Sequence, residues 1–171
     1  MVVLRPTRKL RTLLPIGRVV PTRSDTALGD WYVNRIVVDR RPLLILVSAG
    51  SLLPMLLLAR KVRDLPERLP ALVRDRLERC GIAAPLVQAE TNAMSAVAIG
   101  PTVDRSVLGI LVDFARAVPY HLEHSHWEDD ALLTVEARLA ETPCYAGRAQ
   151  DEVVFPDKKA PELLRAKWGA G

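Results

Sequence analysis

All three histidines of the chain lie within six residues, where metal or proton chemistry could concentrate. His121, His124 and His126 are followed closely by Glu128 and Asp129. Imidazoles and carboxylates are ligands of zinc and nickel, so the cluster predicts a candidate metal site and, with it, a metal-dependent hydrolase. Its spacing matches no established ligand framework, and a solvated polar loop has the same composition. Both interpretations stay open, and the sequence favours the loop.

A second candidate for chemistry is Cys144, which follows Glu141-Thr-Pro. A thiol near a histidine could act as a nucleophile, but this reactivity needs a lowered thiol pKa, for which the sequence shows no cause. Packing as a small buried hydrophobe in a turn is the favoured interpretation. The chain contains no glycine-rich phosphate loop, Ser-His-Asp motif or Cys-x-x-Cys pair. The sequence therefore favours a protein without catalytic activity and predicts no cofactor.

Basic residues are distributed unevenly along the chain. Six precede the first acid, Asp25: Arg5, Arg8, Lys9, Arg11, Arg18 and Arg23. Of 24 basic residues, 18 follow position 24. All 20 acids also lie in that part of the chain, so it carries a net charge of −2. Attraction for phosphate is therefore expected from the N-terminal segment, with Arg5, Arg8, Lys9 and Arg11 as contacts to nucleic acid or another anionic partner. A solvated helix face is the alternative, since residues 1–30 contain no aromatic side chain for stacking.

Length and composition predict one domain over residues 1–171. The chain is 49% hydrophobic and 26% charged, which is typical of a globular protein. Two cysteines, with no segment resembling an export signal, predict a cytoplasmic location and independent thiols. The uncharged run 43–59 is short for a membrane span of about 20 residues. Turn-forming residues 48–51 and Pro54 divide it, so two buried strands and no membrane association are expected.

The remaining patterns predict an α+β fold, a small mixed sheet covered by helices. We expect strands at 2–5, 31–38, 43–47, 52–58 and 94–99, and helices at 6–14, 67–80 and 103–120. Residues 131–139, of ambiguous type, and 161–168 form shorter elements. Thr102 is expected to cap the long helix, whose apolar stripe includes Leu111 and Phe114.

Two aromatic residues open the second predicted strand. Side chains of Trp31 and Tyr32 must point to opposite faces of the sheet if both lie in a strand. One is then expected in the core, and the other could be a surface anchor for a partner.

Four blocks of sequence carry a family resemblance: Leu28-Gly-Asp-Trp-Tyr32, Ser51-Leu-Leu-Pro54, Arg105-Ser-Val-Leu-Gly109 with Asp113-Phe114, and Leu139-Ala-Glu-Thr-Pro-Cys144. Their order and spacing resemble a bacterial domain family of unknown function across essentially the whole chain. The resemblance implies a small single-domain cytoplasmic protein and brings no activity, cofactor or catalytic residue. The histidine run departs from the pattern. A non-catalytic binding or interaction module, with an unknown protein or nucleic-acid partner, is thus favoured over the hydrolase.

Overall fold

The sheet is built around the first strand of the chain. A computed structural model describes residues 1–15, 23–122, 129–145 and 152–170. Its strands are β1 (Val2–Pro6), β2 (Trp31–Val38), β3 (Arg41–Ser48), β4 (Pro54–Leu58) and β5 (Val97–Ile99). They lie in the order β4-β3-β2-β1-β5. Strand β1 is parallel to β2 and to β5, whereas β3 is antiparallel to β2 and to β4.

Six α-helices in the described residues surround this sheet. They are α1 (Arg8–Arg11), α2 (Leu65–Arg79), α3 (Ala84–Asn92), α4 (Arg105–His121), α5 (Asp129–Ala140) and α6 (Pro156–Trp168). A short 3-10 turn, Val62–Asp64, precedes α2. The molecule is a single small domain of the α+β class, as the sequence predicts.

The sheet separates two apolar cores. On one face, Trp31, Val33 and Leu46 pack with α1, α2, α3 and α6. On the other face, Tyr32 and Ile45 pack with α4 and α5. The alternation follows from the period of two along a strand. Continuous apolar runs occur in β3 and β4 because both faces of the sheet are covered. This confirms the expectation that the two strands are buried.

The uncharged run 43–59 forms most of β3, a turn and β4, so its assignment to two strands is confirmed. Among the described residues, no helix is both long enough and apolar enough to cross a membrane.

Element boundaries differ from the predictions in several places, and the strand expected at 94–99 forms only over Val97–Ile99. Helix α3 was not predicted, and region 131–139 lies in a helix, α5. The cap of α4 is Asp104 and not Thr102, because the Asp104 carboxylate accepts the N–H groups of Ser106 (2.8 Å) and Val107 (3.3 Å). The predicted helix at 6–14 contracts to the single turn of α1.

Candidate functional site

Four loops leave the sheet on the same side, where four of its strands end. Strands β1, β2, β4 and β5 run in the same direction, so their carboxyl ends lie on the same side. The connections that follow them are residues 7–15, 39–41, 59–64 and 100–105; we refer to them as loops, and they include α1, the 3-10 turn and the first residues of β3 and α4. We call these four loops the carboxyl edge. In open α/β sheets, ligands bind outside the carboxyl ends of the strands.

The carboxyl edge is strongly basic. It contains nine basic residues against three acids, Asp39, Asp64 and Asp104. All nine basic residues are exposed, and they come from all four loops: Arg8, Lys9, Arg11, Arg40, Arg41, Arg60, Lys61, Arg63 and Arg105. Arg41 aside, none of them forms an ion pair with an acid that the structure describes. Clustered cations without paired acids create a positive potential that attracts anions.

Three of the four loops are adjacent in space. Strand β2 continues five residues beyond the last pair it forms with β1, so the 39–41 turn projects about 17 Å past the end of β1. Helix α1 contacts β2, and the hydroxyl of Thr7, just before α1, donates to Asn34 Oδ1 (2.9 Å) at the start of this extension. The Ala59 N–H donates to the carbonyl oxygen of Pro42 (3.0 Å), which joins the hairpin to the 59–64 loop. Residues 12–14 and 61–64 in turn line a common cleft.

Two cations of the carboxyl edge have left-handed backbone conformations. Arg40 has φ of 65° and Lys61 has φ of 49°. This conformation costs a non-glycine residue about 1–2 kcal/mol, which glycine would avoid. At Arg40 the conformation follows from the two-residue hairpin turn, in which Asp39 also has a positive φ of 49°. Basic side chains are therefore present where the backbone alone would favour glycine.

The net charge along the sequence did not indicate the basic surface at the carboxyl edge. Because residues after position 24 sum to −2, the N-terminal segment was expected to supply all of the attraction for anions. The structure corrects this expectation, since five cations of the later part, none of them paired with an acid that the structure describes, join the carboxyl edge: Arg40, Arg60, Lys61, Arg63 and Arg105. Each belongs to a loop that follows a strand. That recurring position is the signal that could have revealed them.

Arg5 does not belong to the exposed cluster. Its side chain is 6% exposed and forms an ion pair with Asp30, and its Nη1 donates to the carbonyl oxygen of Pro101 (2.7 Å). The guanidinium therefore ties β1 to the segments before β2 and after β5. The prediction of Arg5 as a contact for an external anion is wrong, whereas Arg8, Lys9 and Arg11 are exposed.

Trp31 and Tyr32 point to opposite faces of the sheet, as predicted. Neither is a surface anchor, because Trp31 is 0% and Tyr32 is 1% exposed. The Tyr32 hydroxyl accepts the backbone N–H of Asp104 (3.0 Å) and so fixes the start of α4. The expected partner surface at these residues is wrong because both faces of the sheet are covered.

The histidine cluster is described only in part. His121 is half-buried at the end of α4, and His124 and His126 lie outside the described residues. Within residues 1–15, 23–122, 129–145 and 152–170, no three His, Cys, Asp or Glu side chains form a group that could hold a metal ion. The metal site and the hydrolase that it would imply therefore stay predictions.

Cys144 has the environment of a packed side chain. The residue is 3% exposed, and its Sγ donates to the carbonyl oxygen of Thr142 (3.3 Å). Burial, with a contribution from the negative charge of Asp113, raises the pKa of the Cys144 thiol to about 11. A thiol with this pKa is protonated at neutral pH, which is the opposite of an activated nucleophile.

Comparison with known proteins identifies the domain without assigning it an activity. A family model described as a domain of unknown function (DUF6933) matches residues 3–159. Searches of curated proteins and of solved structures gave no match. Since the matched region covers most of the chain, the chain belongs to this DUF6933 family of domains of unknown function.

Proposed function

We propose that the protein is a non-catalytic binding module that engages the phosphate backbone of a nucleic acid through the carboxyl edge. The observation that supports this most directly is the set of exposed cations from four loops, eight of them without an ion pair to any described acid. Seven of the nine are arginines. A guanidinium can bind a phosphate group through two hydrogen bonds, so this composition suits a phosphate-rich partner.

The composition of the edge favours contacts to the backbone over contacts to the bases. Loops 7–15, 39–41, 59–64 and 100–105 contain no aromatic residue on which a base could stack. Aromatic stacking is the usual means by which proteins hold single strands. The proposed complex therefore uses duplex nucleic acid, depends steeply on salt and depends little on base sequence.

Two further properties support a binding role inside the cell. The buried Cys144 thiol has a raised pKa, which argues against thiol catalysis. Cys80 and Cys144 are both free thiols. Free thiols are usual in reducing compartments, and the cytoplasm is the location that we propose.

The proposal can be tested by fluorescence anisotropy with a labelled duplex DNA of mixed sequence. Arg40→Gly should weaken binding because it removes a cation from the projecting turn. The fold should tolerate it, since relief of about 1–2 kcal/mol of left-handed strain opposes about 0.4–1 kcal/mol of added entropy in the unfolded chain.

Arg116→Gln is the matched control, because Arg116 is an exposed residue on α4 outside the carboxyl edge. It should leave the affinity close to that of the wild type. Equal weakening by both variants would show that the edge has no special role. Absence of binding to duplex DNA at 50 mM salt would remove nucleic acid as the partner and leave an acidic protein to be tested.

A further inference from the structure

A cleft within the carboxyl edge separates the end of α1 from the 3-10 turn. Thr12, Leu13 and Leu14 line one side, and residues 61–64 line the other. Its volume is about 630 Å³. Small-molecule sites typically have volumes of about 300–1,000 Å³, so the cleft is large enough for an organic ligand.

The lining of the cleft combines apolar and cationic groups. Leu13 is 47% exposed, a large fraction for a leucine, and Val62 is half-buried. Lys61 and Arg63 are exposed and form no ion pair with a described acid, and Asp64 is the one acidic residue among the described residues of the lining. The cleft thus offers apolar surface next to an excess of positive charge.

The backbone at Lys61 provides an independent observation. This residue has the left-handed conformation, with φ of 49°, immediately before the 3-10 turn. Glycine would adopt this conformation at lower cost. The presence of a lysine at the cleft agrees with a role for its ammonium group in binding.

We infer that this cleft binds a small amphipathic organic anion. An apolar body would pack against Leu13 and Val62, and a phosphate, sulfate or carboxylate head group would lie near Lys61 and Arg63. The inference goes beyond the proposed function, because the cleft forms part of the carboxyl edge but takes a different ligand. It differs from that function in its requirement for apolar contact.

Isothermal titration calorimetry with octyl phosphate tests this inference. The ligand should bind one-to-one and at least about tenfold more tightly than inorganic phosphate or 1-octanol, since each supplies only half of the expected contacts.

Vesicles of phosphatidylcholine with phosphatidic acid identify the source of the head group. Co-sedimentation would assign it to a membrane lipid, and octyl phosphate binding without co-sedimentation would assign it to a soluble ligand.

Variants separate this cleft from the rest of the carboxyl edge. Leu13→Ser and Lys61→Gly should each weaken octyl phosphate binding about tenfold or more. Arg116→Gln should leave it unchanged, because Arg116 is exposed on α4 outside the carboxyl edge and does not line the cleft. Lys61→Gly retains the backbone conformation and serves as the second variant if Leu13→Ser lowers stability. Thermal melting of each variant verifies that it is folded.

The two proposals can fail separately. Leu13→Ser should spare duplex DNA binding, since it removes no charge. Octyl phosphate binding without DNA binding would overturn the proposed function alone. Octyl phosphate that binds no more tightly than inorganic phosphate, or that is insensitive to both Leu13→Ser and Lys61→Gly, would overturn the inference about the cleft.

Discussion

Replacement of Glu136 by alanine should destabilise the fold at the β4 edge of the sheet. Pro54 has no N–H, and its carbonyl oxygen accepts the Nε–H of Arg76 (2.8 Å). The Leu56 N–H donates to the Glu136 carboxylate (2.9 Å). Glu136 also lies 3.0 Å from Arg76 Nε, and the two side chains are 1% and 5% exposed. This buried pair therefore covers the edge strand, which would otherwise offer its backbone to another chain.

The expected magnitude follows from what the substitution leaves unpaired. Removal of one partner from a buried ion pair costs about 3–5 kcal/mol, because the remaining charge stays buried. The buried Leu56 N–H, left without an acceptor, adds a penalty of about 1–3 kcal/mol that overlaps with the first. At about 2–4 °C per kcal/mol for a domain of this size, Glu136→Ala should lower the midpoint of thermal unfolding by about 6–20 °C.

Circular dichroism melting measures the loss of stability. Size-exclusion chromatography measures whether the uncovered edge strand pairs with another chain. Glu136→Gln should fall between wild type and alanine, because the amide oxygen can still accept the Leu56 N–H. Glu78→Gln, an exposed position on α2, is the control and should leave the midpoint unchanged. A Glu136→Ala protein that melts within 2 °C of wild type, roughly the effect of under 1 kcal/mol, would refute the stabilising role of the Glu136–Arg76 pair at strand β4.

Three further predictions concern the core, the thiol and the histidines. Phe114→Ala should lower the free energy of unfolding by about 3–5 kcal/mol in urea titrations, and an unchanged midpoint would show that the α4 stripe is not core. Because the folded-state pKa of Cys144 is raised to about 11, its thiol should resist iodoacetamide at pH 8. The stability it contributes should be complete below its unfolded pKa and decline as pH rises toward about 11, a decline absent in Cys144→Ser. For His124 and His126, we expect substoichiometric zinc after dialysis and unchanged stability in the double alanine variant; tight one-to-one zinc that this variant abolishes would instead favour the hydrolase.

Local sequence patterns were sufficient for the sheet and the long helix. The aromatic and β-branched run at 31–38 and the apolar run at 43–47 correspond to β2 and β3. The apolar stripe through Leu111 and Phe114 faces the core from α4. In these elements, hydrophobic period and local propensity agree with the tertiary environment.

Helix α3 could not be predicted from periodicity because its placement depends on distant contacts. Glu90, which is 0% exposed, accepts the N–H groups of Ala27 (2.8 Å) and Leu28 (3.0 Å) and the indole N–H of Trp168 (2.7 Å). A buried carboxylate interrupts the apolar stripe that normally marks an amphipathic helix. Its partners are more than 60 residues away in sequence.

The candidate site was predicted only in its N-terminal part for a similar reason. Arg8, Lys9 and Arg11 are close in sequence, so their charge was visible there. Arg40 joins them because β1 is parallel to β2, and Lys61 joins them because β2 and β4 are both antiparallel to β3 and therefore run in the same direction. A sum of charge along the chain contains no information on this topology.

The salt dependence of duplex DNA binding tests the central claim most directly. If four of the nine edge cations contact phosphates, a plot of log affinity against log salt concentration should have a slope of about −3.6, and affinity should fall about 150-fold between 50 and 200 mM salt. Removal of two contacts in Arg40→Gly/Lys61→Gly should reduce the slope by about 1.8 without lowering the unfolding midpoint. Slopes that are identical in the wild type and the double variant, or no binding at 50 mM salt, would contradict the proposed role of the carboxyl edge.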